Sequence, residues 1–137
     1  MILMDTGPLV ALFDKSDRYH AICKKELSHL KDELKTTWPV LTEVMYLLNF
    51  SCLAQDLCFE FLEAGAVSID ASEETRLTRI HELMKQYNDL PMDFADASLV
   101  ALGEEEGISR IFTLDRKDFR IYRPKSIKNF DLIPEKI

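Results

Sequence analysis

The chain has 137 residues and a mass of 15.9 kDa, a length that fits one domain at about 150 residues per domain. Its 47% hydrophobic and 30% charged residues exclude disorder, collagen-like repeats and a disulfide scaffold as whole-chain readings. A balance of 17 basic against 24 acidic residues, net −7, argues at face value against a nucleic-acid binder, whose usual footprint is basic, and against adhesion to an anionic membrane.

Ile2 to Asp5 is a short apolar run that ends in an acid, followed by Thr6-Gly7-Pro8. It reads as a buried strand, a turn, and a short helix with Pro8 in its first turn and Leu9 to Phe13 after it. Asp17 is placed to cap a helix over 17–34, where Cys23, Leu27, Leu30 and Leu34 recur at helical spacing on one face. Thr36-Thr37-Trp38 is β-prone, and Pro39 then opens a helix over 40–50. A further helix spans 53–63 and closes at Gly65.

Val67-Ser68-Ile69 is a short strand ending in Asp70. Ser72 caps a helix whose stripe holds Leu77, Ile80, Met84 and Tyr87. Asp93 caps the helix that runs to Glu106, with Gly107 past its end. Residues 110–115, with Ile111, Phe112 and Leu114, form another buried strand ending in an acid. Arg116 to Phe119 is turn-like, and a last short strand lies near 130–133. Strands separated by helices predict an α/β fold: a three-layer α/β/α sandwich on a short-stranded, mostly parallel sheet. No linker or repeat divides the chain, so one domain over residues 1–137 is expected.

Cys23, Cys52 and Cys58 form no CxxC pair, which fits reduced thiols in a cytoplasmic protein. The first residues lack a basic n-region and a long apolar stretch. No run approaches the ~18 apolar residues of a membrane span.

In an open α/β sheet, ligands bind beyond the carboxyl ends of the strands. Asp5 and Asp115 both stand at that edge. Each has an ordinary reading, Asp5 as a helix cap and Asp115 as a turn residue. Glu43 is the one charged residue in an apolar, and therefore largely buried, helix; it is either a first-turn acid favoured by the dipole or a site residue. Asp96 sits among small residues inside its helix, and Asp93, three residues earlier, reads first as the cap. If Asp5, Glu43, Asp96 and Asp115 converge, they repel one another unless a cation meets them. The group is then a hard oxygen site of the kind that magnesium and manganese prefer. Such an ion supports phosphodiester hydrolysis. Thr113, two residues before Asp115 on the same expected strand, is placed to orient an acid, a water or a phosphate. His20, His29 and His81 are scattered and read as surface or packing residues.

Met4-Asp5-Thr6-Gly7-Pro8-Leu9-Val10-Ala11-Leu12, Thr42-Glu43-Val44, Asp93-Phe94-Ala95-Asp96-Ala97 and Thr113-Leu114-Asp115, in this order and at this spacing, resemble the PIN-domain ribonucleases. The chain is most similar to the VapC-type toxins of toxin–antitoxin systems. The resemblance covers essentially the whole chain. It implies a magnesium- or manganese-dependent endoribonuclease that cleaves RNA by a metal-activated water, leaving a 5′-phosphate and a 3′-hydroxyl. It implies Asp5, Glu43, Asp96 and Asp115 as the metal-binding acids, with Asp93 a further candidate and Asp118 a less secure one. It also implies a homodimer silenced by a small antitoxin protein whose tail blocks the acidic cleft. A standalone PIN nuclease in RNA processing has the same sequence pattern.

Three rivals fit less well, one of them a catalytically idle interaction module. A haloacid-dehalogenase-type phosphatase needs a second acid two residues after Asp5, where this chain has Gly7. A non-enzymatic phospho-acceptor receiver would use Asp70 at the end of a middle strand, but leaves Glu43 and Asp96 without a role. The charge also divides unevenly. Residues 1–109 carry 9 basic and 20 acidic residues, and residues 110–137 carry 8 and 4. Arg110, Arg116, Lys117, Arg120, Arg123, Lys125 and Lys128 thus form a basic tail beside the Asp115 strand end, either solvated or facing the RNA backbone.

Overall fold

A computed structural model describes residues 1–137. Five strands, β1 (Ile2–Met4), β2 (Leu34–Thr37), β3 (Val67–Asp70), β4 (Arg110–Phe112) and β5 (Asp131–Ile133), form one sheet in the order β3-β2-β1-β4-β5. All four pairings are parallel, with Leu3 opposite Lys35 on one side and Ile111 on the other. Ile2, Leu3, Met4, Ile111 and Phe112 are fully buried, as expected for strands covered on both faces.

Seven helices connect the strands: α1 (Thr6–Phe13), α2 (His20–His29), α3 (Trp38–Leu47), α4 (Cys52–Glu63), α5 (Leu77–Gln86), α6 (Phe94–Glu106) and α7 (Arg116–Ile121). α1 packs against α2, α3 and α4, while α5 packs against α6. Right-handed crossovers place these two groups on opposite faces of the sheet. The expected α/β/α sandwich is therefore present. Strand order reverses between β1 and β4, so the crevice that binds ligands in such sheets opens where Asp5 and Asp115 follow their strands.

α6 is buried almost all round, from Ala95 through Gly103. Its small residues permit close approach. A Cβ at Gly103 would lie 2.9 Å from the Ile108 carbonyl oxygen and 3.2 Å from Leu3 Cδ1. Gly103→Ala gains roughly 1 kcal/mol of helix propensity but overpacks rigid neighbours at a cost of about 1–3 kcal/mol. The expected result is a lower melting temperature, read by thermal denaturation; an unchanged or higher one would show that the helix shifts freely.

Several local expectations need correction. The helix over 17–34 is only His20–His29. Asp17 accepts from the Tyr19 N–H at 2.8 Å and so closes a turn before the helix. Leu34 belongs to β2, opposite Ile2 and Val67. Ser72 precedes a 3-10 turn (Glu73–Arg76) without capping it by its side chain, and Leu77 is 54% exposed, so Leu83 replaces it in the buried stripe. The helix carrying Glu43 is not largely buried, since Tyr46 and Leu47 face outward at 72% and 50% exposure. The strand expected over 110–115 stops at Phe112. Beyond it Thr113 and Asp115 form a turn in which the Asp115 N–H donates to Thr113 Oγ1 at 2.9 Å. The segment read as a turn at Arg116–Phe119 is helical, because Asp115 caps it through the Asp118 N–H. Asp70 ends an edge strand rather than a middle one. All three cysteines are free, and no helix is long and apolar enough to cross a membrane.

Candidate active site

The acids singled out in the sequence come from four places in the chain, the β1–α1 junction, α3, the start of α6 and the start of α7. Asp5 follows β1 as the residue before α1, yet its side chain makes no capping hydrogen bond. The cap reading therefore does not account for it. Instead Asp5 is buried and accepts from Thr113 Oγ1 at 2.7 Å. Burial pushes its carboxyl up to about 6, and Asp115 and Asp93 add to the rise, against the lowering effect of the Thr113 hydroxyl.

Asp96 projects from the first turn of α6. It accepts from the Tyr122 hydroxyl at 2.9 Å. Burial first, then the charges of Asp5 and Asp93, push its carboxyl up to about 8. Glu43, on α3, is held by Thr6 Oγ1 at 2.8 Å. Burial raises it too, with Asp93 and Asp5 contributing repulsion. α3 meets α6 directly, which is how residue 43 comes near residues 93 and 96. Asp115 is raised chiefly by burial, then by Asp118 and Asp93, against the backbone hydrogen bond that it accepts.

Asp96, Asp115 and Asp118 each offer a carboxylate oxygen within 4.8 Å of the other two. This is the tightest grouping, and it includes the acid that sequence reasoning rated least secure. Asp5 raises Asp96 and Glu43 and is itself raised by Asp115 and Asp93, while Glu43 is raised by Asp93 and Asp5. Asp93 acts as the cap of α6, accepting from the Asp96 N–H at 2.8 Å. Tyr122 escaped notice in the sequence. It is fully buried, packed edge-on against Tyr87 and Phe119 with ring centroids 5.0 and 5.1 Å away. Burial and the Asp96 carboxylate hold its phenol well above its usual range, so it stays a donor.

None of the eight ion pairs in the molecule involves Asp5, Glu43, Asp96 or Asp115. Their hydrogen-bond donors are hydroxyls and backbone N–H groups, which orient a carboxylate without cancelling its charge. The basic tail does not close this gap. Arg110 pairs with Asp32 at 3.0 Å. Arg116 donates to the carbonyls of Pro134 and Glu135, and Arg123 to those of Arg120 and Tyr122. Lys117, Arg120, Lys125 and Lys128 remain exposed. Crowded, uncompensated, all-oxygen ligands fit a divalent ion such as magnesium or manganese. Asp70 shows the contrast: burial pushes it up, but Arg76, 2.8 Å away and itself 6% exposed, brings it below its usual range. A carboxylate locked this way is a poor phosphoryl acceptor.

Comparison with known proteins agrees. The PIN-domain family model matches residues 2–124. The chain is 27% identical over 135 residues to the ribonuclease VapC26 of Mycobacterium tuberculosis, covering 97% of this chain and all of that one. The crystal structure of Mycobacterium tuberculosis VapC20, described as a sarcin–ricin loop cleaving toxin, superposes with a TM-score of 0.77 at 22% identity, over 85% of this chain and 92% of that one. From its carboxylate edge, its strand order and this match across nearly its whole length, the chain belongs to the PIN-domain family.

Proposed function

We propose that this chain is a divalent-metal-dependent endoribonuclease that works as one catalytic domain and serves as the toxin of a type II toxin–antitoxin pair. The observation that carries the reading is the group of acids without a cationic partner: Asp5, Glu43, Asp96 and Asp115, joined by Asp118. A protein does not bury repelling carboxylates for stability alone.

Three of the acids accept from a hydroxyl of their own. Thr113 holds one oxygen of Asp5, Tyr122 one oxygen of Asp96, and Thr6 one oxygen of Glu43. Thr113 also accepts the Asp115 N–H, so a single hydroxyl ties the β1 acid to the β4 acid. These contacts fix the ligand oxygens before substrate arrives, as a preorganised site requires. A bound magnesium or manganese ion supplies positive charge for the phosphodiester oxygens and for the attacking water. The carboxylates that remain ionised accept the proton that water gives up. Hydrolysis then leaves a 5′-phosphate and a 3′-hydroxyl. Lys117, Arg120, Lys125 and Lys128, exposed on the neighbouring tail, are available to the RNA backbone.

The partners follow from the same surface. A basic antitoxin tail inserted at the acidic edge would neutralise the site and block it. The outward apolar side chains of α3 and the turn after it, Tyr46, Leu47 and Phe50, support a homodimer. The free cysteines support a reducing, cytoplasmic setting.

The test is cleavage of mixed RNAs by the purified protein, freed of any partner, with magnesium, manganese or EDTA. The expected result is cleavage with either metal, products carrying 5′-phosphates, and none in EDTA. Undiminished cleavage in EDTA would overturn the metal-dependent reading.

A further inference from the structure

Beside the acids lies an open cleft of about 570 Å³ whose aromatic lining the proposed chemistry does not use. Trp38, the first residue of α3, and Phe94, the first residue of α6, both line it. They are 52% and 41% exposed. Glu43 and Asp93, already part of the acidic edge, line it too, and Glu73 is the third carboxylate there. The cleft is therefore continuous with the candidate active site.

Its chemistry restricts the occupant. Glu73 and Asp93, which stand outside the acids assigned to the ion, repel a phosphodiester, so the RNA backbone is disfavoured on their side of the cleft. The exposed aromatic side chains favour a flat π-system. Carboxylates accept hydrogen bonds from base edges that carry amino groups, as Glu and Asp do from cytosine N4. Glu73 lines the cleft, and one of its carboxylate oxygens is buried with no hydrogen-bond partner. An aromatic, uncharged, donor-bearing group next to a scissile phosphate is a nucleobase. Base stacking on aromatic side chains is a general mode of single-strand recognition.

We propose that this cleft holds one unpaired base of the RNA substrate against Trp38 and Phe94, and that its acidic lining selects bases carrying an exocyclic amino group. The inference rests on the ribonuclease reading of the adjoining site. It makes Trp38 a substrate-positioning residue.

Trp38 is the one tryptophan of the chain, so intrinsic fluorescence reads the cleft directly. The Asp96→Asn variant with magnesium is titrated with short single-stranded oligocytidylate and oligouridylate, two pyrimidines that differ in the amino group. Saturable quenching is expected, with cytidylate binding several-fold tighter and Glu73→Gln narrowing that difference. In the chain with all its acids, Trp38→Ala should raise KM for single-stranded RNA roughly 5- to 100-fold, more than it lowers kcat. Trp38→Phe should restore most of the loss. Circular dichroism checks the fold of each variant.

Emission that ignores RNA but follows protein concentration would assign Trp38 to a contact between copies and overturn the proposal. So would an unchanged KM in a folded Trp38→Ala protein. Equal binding of the two homopolymers would overturn the selectivity. If metal-dependent cleavage is intact while Trp38 is insensitive, the base cleft alone fails. If RNA quenches Trp38 but no condition yields cleavage, the ribonuclease reading fails and the cleft stands as an RNA-binding site.

Discussion

Asp5→Asn and Asp96→Asn should each reduce RNA cleavage by at least about 10²-fold, the scale on which removing one preorganised group from a reacting centre is felt. Asparagine keeps the shape and one carbonyl oxygen but removes the charge that a divalent ion needs. The loss should fall on kcat at saturating metal, and raising manganese should recover only part of it. Thr113→Val is the informative partner. It deletes the hydroxyl that donates to Asp5 at 2.7 Å and accepts from the Asp115 N–H, yet it leaves every acid in place. A loss of about 10–100-fold, of the size found for groups that orient metal ligands, is expected there, with half-saturation of the rate moved to higher metal concentration. Tyr122→Phe, which removes the hydroxyl on Asp96, should behave alike. Cleavage assays over a magnesium titration measure all four. Full activity in both asparagine variants would remove Asp5 and Asp96 from the site.

Much of that site was legible because its acids violate local patterns. A carboxylate at the end of an apolar run, as at Asp5, is out of place by burial alone, and Glu43 stands out as the one charge in an apolar stretch. The strands were legible for the same reason, being short apolar runs between helical stretches. What escaped notice depends on tertiary contact. Tyr122 is one aromatic in a mixed tail, and nothing in its neighbourhood marks the hydroxyl that reaches Asp96 from 26 residues away. Asp118 was undervalued because residues 116–119 look like a turn until Asp115 caps them into α7. Leu27, Leu30 and Leu34 keep a helical period, yet the chain breaks between them. The period cannot reveal that Leu34 pairs with Ile2 and Val67. Composition likewise misjudged α3, since apolar content does not say which side has a neighbour.

The burial of these acids, and then their crowding, should also make the metal-free protein sensitive to base. Asp96 is raised from 3.8 to about 8 and Asp5 from 3.8 to about 6. A carboxyl raised in the folded state binds more protons there than in the unfolded chain. Stability from these groups is therefore fullest below about pH 4 and declines as pH rises through 6 and 8. Asp70 and Glu104 act the other way. Burial pushes each up, but Arg76 and Arg79 bring each below its usual value, so their contribution is lost as pH falls through the acid range. The opposed trends place maximal stability of the metal-free protein in mildly acid solution, with a decline towards pH 8. Magnesium or manganese should reverse that decline, because an ion that binds only the folded chain stabilises it by mass action. Asp96→Asn removes the most strongly raised acid. It should increase metal-free stability at pH 8 by at least about 1 kcal/mol, or about 4 °C in Tm for a chain of this size, and flatten the dependence on pH. Thermal unfolding at pH 5 and pH 8, with EDTA and with manganese, reads each of these differences. A variant that gains stability while losing cleavage would show that Asp96 is retained for chemistry at the expense of the fold, whereas a melting temperature independent of pH between 5 and 8 would mean that burial and neighbouring charge do not raise these carboxyls.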